Sequence, residues 1–143
     1  MRISEVLRRK GSNVATVGLT ATVAELLDEL ATRNVGALVV TAGGEIVGIV
    51  SERDVVRQLQ IRGADLLSGV VVADIMTSDV VSCGLEESVD SVAEMMTQRR
   101  IRHMPVVIDG KLGGIVSIGD VVKSRISELE SDREQLASYI ARG

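Results

Sequence analysis

Gly48-Ile-Val-Ser-Glu-Arg-Asp54 and Gly114-Ile-Val-Ser-Ile-Gly-Asp120 are one heptapeptide pattern written twice, 66 residues apart. Each opens as a β-rich run and closes on Ser-x-x-Asp, the spacing of a helix's first turn. Working outward, residues 14–56 align with 80–122 without a gap. Identical pairs include Gly18/Gly84, Leu19/Leu85, Val23/Val89, Arg33/Arg99, Val40/Val106 and Gly44/Gly110. Like replaces like in Thr16/Ser82, Thr22/Ser88, Asp28/Glu94, Val35/Ile101 and Ile46/Leu112. A register held over that distance means that one unit is used twice.

Both copies read the same way. Thr22-Val-Ala-Glu25 has the form of a capping box, and Val23, Leu26, Leu27 and Leu30 follow at helical spacing. In the second copy Ser88 takes the cap, and Val89, Val92, Ala93 and Met96 form the stripe. Strands are predicted over 37–41 and 45–50 around Ala42-Gly43-Gly44, and over 104–108 and 111–116 around Asp109-Gly110. A helix follows each hairpin, from near Ser51 and near Ser117. Lead-ins at 3–7 and 72–76 precede the copies, and 61–69 is the connector. Each half is thus β-α-β-β-α, too small to cover both faces of its own sheet. Packing the copies around a pseudo-twofold axis supplies the cover, and the short connector disfavours two separate domains. The expected class is α+β, with repeats at 1–66 and 67–125 and a helical tail at 126–143.

Composition bounds the chemistry. The 143 residues are 45% apolar and 25% charged, with a net charge of −4, which fits a folded chain without a broad footprint for nucleic acid. Apolar runs such as 69–73 fall far short of the ~20 residues of a membrane span. Residues 1–10 are charged throughout, unlike a signal segment. The one cysteine, Cys83, forms no intrachain disulfide or CxxC knuckle, so the chain reads as cytoplasmic. Tyr139 is the one aromatic residue, so no platform stacks single-stranded bases. A nucleophilic triad or histidine metal cage would need the lone His103. The expectation is no enzyme, no metal and no catalytic cofactor.

Taken together, these features resemble a CBS-domain pair, or Bateman module, of the standalone two-CBS type, over about 3–125. The two heptapeptides resemble the family's glycine-hydrophobic-x-Ser/Thr-x-x-Asp signature, and Ile101-Arg-His-Met-Pro-Val106 its second-strand pattern. The resemblance implies a regulatory module that binds AMP, ADP, ATP, S-adenosylmethionine or an NAD-like molecule in clefts between the copies. It implies that Asp54 and Asp120 hold ribose hydroxyls and that Ser51 and Ser117 reach toward phosphate. It also implies pairing of modules into a disc of four CBS units, hence a homodimer. Thr16 and Ser82 are assigned toward phosphate on the resemblance alone.

The residues themselves leave two readings of Ser-x-x-Asp. A helix N-terminus offers amides and positive dipole to a phosphate, and a carboxylate can accept both hydroxyls of a cis-diol. The same spacing is also a capping box, and the two roles can coexist. Arg53, Arg102 and His103 are candidate phosphate contacts or ordinary surface charges. Gly36-Ala37 stands where the second copy has Arg102-His103, and Val39 replaces Pro105, so the sites are expected to be unequal in charge. Without aromatics, adenine would lie among Val35, Gly36, Ala37, Ile101 and Met104, which read equally as core. Cys83 reads as a small buried hydrophobe, Met95, Met96 and Met104 as core fillers, and Arg99-Arg100 as a helix end.

The tail carries Ile126, Leu129, Leu136 and Ile140 at helical steps, with Ser131-Asp-Arg-Glu134 expected to restart a helix. Its apolar face should dock on a second subunit or on the module's rim. Acidic residues there disfavour a membrane surface. The leading reading is a ligand sensor whose protein effector acts in trans. The alternative is a ligand-independent dimerisation module with vestigial clefts.

Overall fold

The computed structural model describes residues 1–142. The elements run α1 (Ile3–Lys10), β1 (Thr16–Gly18), α2 (Val23–Arg33), β2 (Ala37–Ala42), β3 (Glu45–Ser51), α3 (Glu52–Arg62), a 3₁₀ turn (Gly63–Leu67), α4 (Val72–Ile75), α5 (Val89–Arg99), β4 (His103–Ile108), β5 (Lys111–Ser117) and α6 (Ile118–Arg142). The mixed α and β composition with tandem repeats is the expected class.

Local chemistry sets the boundaries. Thr22 Oγ1 accepts the Glu25 amide at 3.1 Å and Ser88 Oγ the Ser91 amide at 3.0 Å, so α2 and α5 begin one residue later. Both helices end on a left-handed residue, Asn34 (φ 52°) and Arg100 (φ 55°). The hairpins turn through Gly43-Gly44 (φ 59° and 83°) and Asp109-Gly110 (φ 52° and 76°). Positive φ at both central residues matches the twist of the flanking strands. β2 lies between β1, which is parallel to it, and β3, which is antiparallel, with Ala37 opposite Ser51 and Thr16 opposite Val39.

The chain forms two compact units. The three-stranded unit comprises 13–81 with 108–113, and the two-stranded unit comprises 1–12, 82–107 and 114–143. In the first, Val17, Val23, Leu26, Leu30, Leu38, Val40, Val50 and Val55 pack with Leu66, Val72 and Ile75. In the second, buried residues include Ile3, Val6 and Leu7 from α1, Val92 and Met96 from α5, and Val116 and Val121.

Each lead-in therefore packs with the other repeat. Val23 N donates to Val70 O, Val72 N to Ala21 O and Ala73 N to Leu19 O, at 2.8–3.1 Å. In the two-stranded unit Val89 N donates to Met1 O, Ile3 N to Glu87 O and Ser4 N to Leu85 O, at 2.9–3.0 Å. The repeats correspond at an offset of 66, but the lead-ins that serve them correspond at 69. Leu7 and Met76 are then equivalent, and each covers the signature glycine of its unit. A Cβ on Gly114 would lie 2.8 Å from Leu7 Cδ1, and one on Gly48 would lie 2.6 Å from Met76 Sδ.

Four expectations need correction. Leu27 is 37% exposed, because the buried stripe of α2 narrows to Val23, Leu26 and Leu30. The 61–69 segment is not a bare connector, since Leu66 is only 1% exposed within the core. The first strand of the second copy shrinks to a single parallel bridge, Cys83 to Val106. Pro105 O and Val107 N both bond Cys83, so a residue-105 N–H would extend that ladder, and proline has none. Finally, no helix restarts at Ser131: α6 is continuous, because 120–142 contains no glycine or proline to break it.

Gly48→Ala should lower unfolding stability by about 1–3 kcal/mol, since its methyl must displace Met76 against the Thr77 carbonyl. Gly18→Ala meets nothing and should stay within about 0.5 kcal/mol of the parent. Urea unfolding of both variants checks this, and equal losses would contradict the packing described.

Candidate functional site

The two signatures build the same turn where a strand ends and a helix begins. In the three-stranded unit, Asp54 Oδ2 accepts the Ser51 amide at 2.9 Å and the Ser51 hydroxyl at 3.2 Å. The Asp54 amide returns to Ser51 Oγ at 3.4 Å, and Glu52 N donates to Gly36 O at 3.0 Å. In the two-stranded unit, Asp120 Oδ2 accepts the Ser117 amide at 2.9 Å and its hydroxyl at 3.0 Å. The Asp120 amide returns to Ser117 Oγ at 3.2 Å, and Ile118 N donates to Arg102 O at 2.8 Å. Both are complete capping boxes, and in both the bonds converge on Oδ2 alone. Oδ1 of each carboxylate takes no part in the cap. Capping thus leaves half of each carboxylate's acceptor capacity for another donor.

The units differ in one cation. Lys10 Nζ, at the end of α1, lies 2.6 Å from Asp120 Oδ2 and 2.9 Å from Ile115 O. In the other unit the carbonyl equivalent to Ile115, that of Ile49, accepts the Thr77 amide at 2.9 Å. The lead-in offset of 69 places Asp79 in sequence where the two-stranded unit has Lys10. Burial pushes the Asp120 carboxyl upward, but the Lys10 ammonium and the Ser117 amide outweigh it and hold the group below its ordinary value of 3.8.

The remaining candidates fall into two sets. Thr16 is exposed at the start of β1, beside the β2 end that carries Gly36 and Ala37. Val35 is exposed, Gly36 lends its carbonyl to α3, and Ala37 is buried opposite Ser51. Arg53 is exposed in the first turn of α3. In the two-stranded unit Ser82 is exposed beside the Cys83 bridge, Ile101 and His103 are half-buried, Arg102 is exposed, and Met104 is fully buried. Cys83 is buried, which pushes its thiol up to about 12, with Glu87 adding to the shift. Such a thiol is not a nucleophile near neutral pH. Among the described residues no cluster of His, Cys, Asp and Glu could hold a metal, and no helix is long and apolar enough to cross a membrane.

Lys10 is the site residue missed from the sequence. A gapless alignment at 66 leaves it in an unaligned charged leader, whereas a slip to 69 pairs Leu7 with Met76 and brings α1 to the second repeat.

The sequence profile of the CBS domain matches residues 3–61 and 72–127, and this chain belongs to the CBS-domain family. The CBS domain-containing protein CBSX3, mitochondrial, of Arabidopsis thaliana is 36% identical over 99% of this chain and 72% of its own length. The crystal structure of the CBS-domain protein ATU1752 from Agrobacterium tumefaciens is 41% identical, with a TM-score of 0.85 over 87% of this chain and 99% of that one. The CBS domain protein PAE2072 from Pyrobaculum aerophilum, complexed with AMP, is 35% identical with a TM-score of 0.73 over 84% and 89%. The CBS domain pair of protein MJ0100, in complex with 5-methylthioadenosine and S-adenosyl-L-methionine, is 25% identical with a TM-score of 0.76 over 86% and 98%.

Lys10→Met should lower stability by about 1 kcal/mol near neutral pH, where the half-buried pair is intact. A carboxyl held low in the folded state contributes stability above its unfolded value, and that contribution is lost as pH falls through the folded value. The difference between variant and parent should therefore shrink as pH drops below 3.8. Urea unfolding across that range measures it, and a difference that stays constant with pH would rule out the ion pair as its source.

Proposed function

We propose that the chain is a regulatory sensor of adenosine-containing ligands, bound at the two strand-to-helix turns and released unchanged. The observation that carries this reading is the duplicated Ser-x-x-Asp cap in which one carboxylate oxygen is used and the other is spare. Asp54 and Asp120 accept the ribose cis-diol through Oδ1. Ser51 and Ser117, with the Arg53 and Gly119 amides in the first turns of α3 and α6, face the phosphate end, where Thr16 and Ser82 also contribute. Val35 and Ile101 flank the adenine, with Gly36, Ala37 and Met104 forming the wall behind. AMP in the PAE2072 structure, and methylthioadenosine and S-adenosylmethionine in that of MJ0100, support the adenosyl class.

The sites differ in charge. Lys10, Arg102 and His103 supply the two-stranded unit with basic groups, so AMP, ADP or ATP suits it best. The three-stranded unit has Arg53 alone among the candidates, and a ligand with less negative charge, such as S-adenosylmethionine, suits it; NAD is the remaining candidate. The module works as a homodimer in the cytoplasm and acts on a protein effector in trans. Ligand biases its conformers only by the difference in affinity between them. One observation favours the second reading, a dimerisation module with vestigial sites: Lys10 already neutralises Asp120.

Thermal unfolding with AMP, ADP, ATP, NAD and S-adenosylmethionine separates the two readings. Ligand at 100 times its dissociation constant adds about 2.7 kcal/mol of stability, whereas vestigial sites give no shift with any of the five. Asp54→Ala and Asp120→Ala should each weaken binding at their own site about ten- to hundredfold, read by calorimetry on folded protein. Unchanged affinity in both variants contradicts the ribose contact, and chromatography showing a consumed ligand contradicts the non-enzymatic reading.

A further inference from the structure

The last fourteen described residues have no packing of their own. Val121 and Ser124 of α6 are buried in the two-stranded unit, and Ser127 and Glu128 are half-buried against it. From Leu129 to Arg142 every residue is exposed. A lone helix of that length is marginal in water. On the face away from the docked residues, Val122, Ile126, Leu129, Arg133, Leu136 and Ile140 recur at alternating steps of four and three. Five of these six are exposed large hydrophobics. Alternating steps of this kind, averaging about 3.5 residues, define a coiled-coil seam rather than the broader stripe of a helix lying on a core.

We propose that α6 forms a parallel two-stranded coiled coil with α6 of a second copy of this chain. The proposal rests on the homodimer reading given above and names its interface. In heptad terms Ile126, Arg133 and Ile140 occupy the a positions, and Val122, Leu129 and Leu136 the d positions. Branched isoleucine at a with leucine at d is the combination that selects two parallel strands. A single polar residue at a central a position, here Arg133, fixes register at some cost in stability.

The flanking charges choose the direction. In the parallel arrangement Arg125, at g, meets Glu130 of the partner subunit at e, and Arg133 lies beside Asp132 of the partner subunit. An antiparallel pairing that overlaps all six seam residues sets Asp132 against the partner's Asp132 and Glu130 against the partner's Glu130. Like charges in those places repel. Arg125 bonds Asp90 at 3.0 Å and Glu128 at 3.6 Å within its own chain. Arg125 and Asp90 are well exposed, and pairs of that kind exchange at little cost. A membrane surface is a poorer occupant, because Glu128, Glu130, Asp132 and Glu134 crowd the segment with negative charge.

Cysteine cross-linking of the full chain, with diamide as oxidant, tests the seam and its direction. Leu136→Cys places one thiol at a d position, where parallel helices bring it against its own copy within disulfide reach. Ser138→Cys places it on the outer face, and the buried Cys83 does not compete. Leu136→Cys should form a covalent dimer at least about tenfold faster than Ser138→Cys, since disulfides need Cα atoms within about 7 Å. Sedimentation of the unmodified chain should give twice 15.2 kDa, and Leu129→Asp should weaken that association at least about a hundredfold. A dimer by sedimentation whose Leu136→Cys variant does not cross-link overturns the seam and leaves the homodimer reading intact. A monomer at all concentrations overturns both. Equal cross-linking of the two cysteine variants contradicts the parallel register.

Discussion

A carboxylate oxygen bonded to the serine amide three residues before it holds each of the two strand-to-helix reversals in this chain. Without that bond, the serine amide would stand unpaired at a half-buried position. The bond uses a single oxygen of Asp54 and of Asp120. The carboxylate is held in place by the turn it caps, so its second oxygen belongs to a side chain that the cap bonds fix. Under the proposed function, stability and ligand capture would draw on different atoms of the same residue. The cap that Ser-x-x-Asp predicts when read alone is thus formed in both units, and it is compatible with the proposed binding role.

The exchange of lead-ins makes the two sites chemically unequal. The second repeat takes its first helix from the start of the chain and the first repeat from the segment that follows it, and these helices differ in length and in charge. α1 has eight residues and carries Lys10 to Asp120 and to the Ile115 carbonyl. α4 has four residues and meets the equivalent Ile49 carbonyl with the backbone of Thr77. The caps and the hairpins recur in both repeats, while the lead-ins differ in charge at each turn. An ammonium lies beside the Asp120 carboxylate, whereas the equivalent place in the sequence of the other lead-in holds Asp79.

Much of this was legible in residue order, because it depends on neighbours. Gly43-Gly44 and Asp109-Gly110 turn the chain through conformations that other residues resist, and Thr22, Ser88 and Ser51 cap the helices where their spacing predicts. What escaped depends on partners far along the chain. Lys10 reaches Asp120 only through the swapped packing of α1, and the three-residue slip between lead-ins hides that equivalence from a gapless alignment. On one side of Cys83 the first strand of the second copy stops at a missing N–H, that of Pro105, on the partner strand rather than on the strand itself. Ser131 has the composition of a cap, but a cap acts only where a helix ends, and nothing between 120 and 142 ends this one.

The spare-oxygen account is tested most directly by comparing AMP with 2′,3′-dideoxy-AMP in calorimetry, on the parent chain and on a folded chain carrying both Asp54→Ala and Asp120→Ala. Removing the hydroxyls should cost the parent at least about tenfold in affinity, and should cost the double variant almost nothing, because the partner of the diol is already gone. Equal affinities of the parent chain for the two nucleotides, or the same loss in parent and variant, would contradict it.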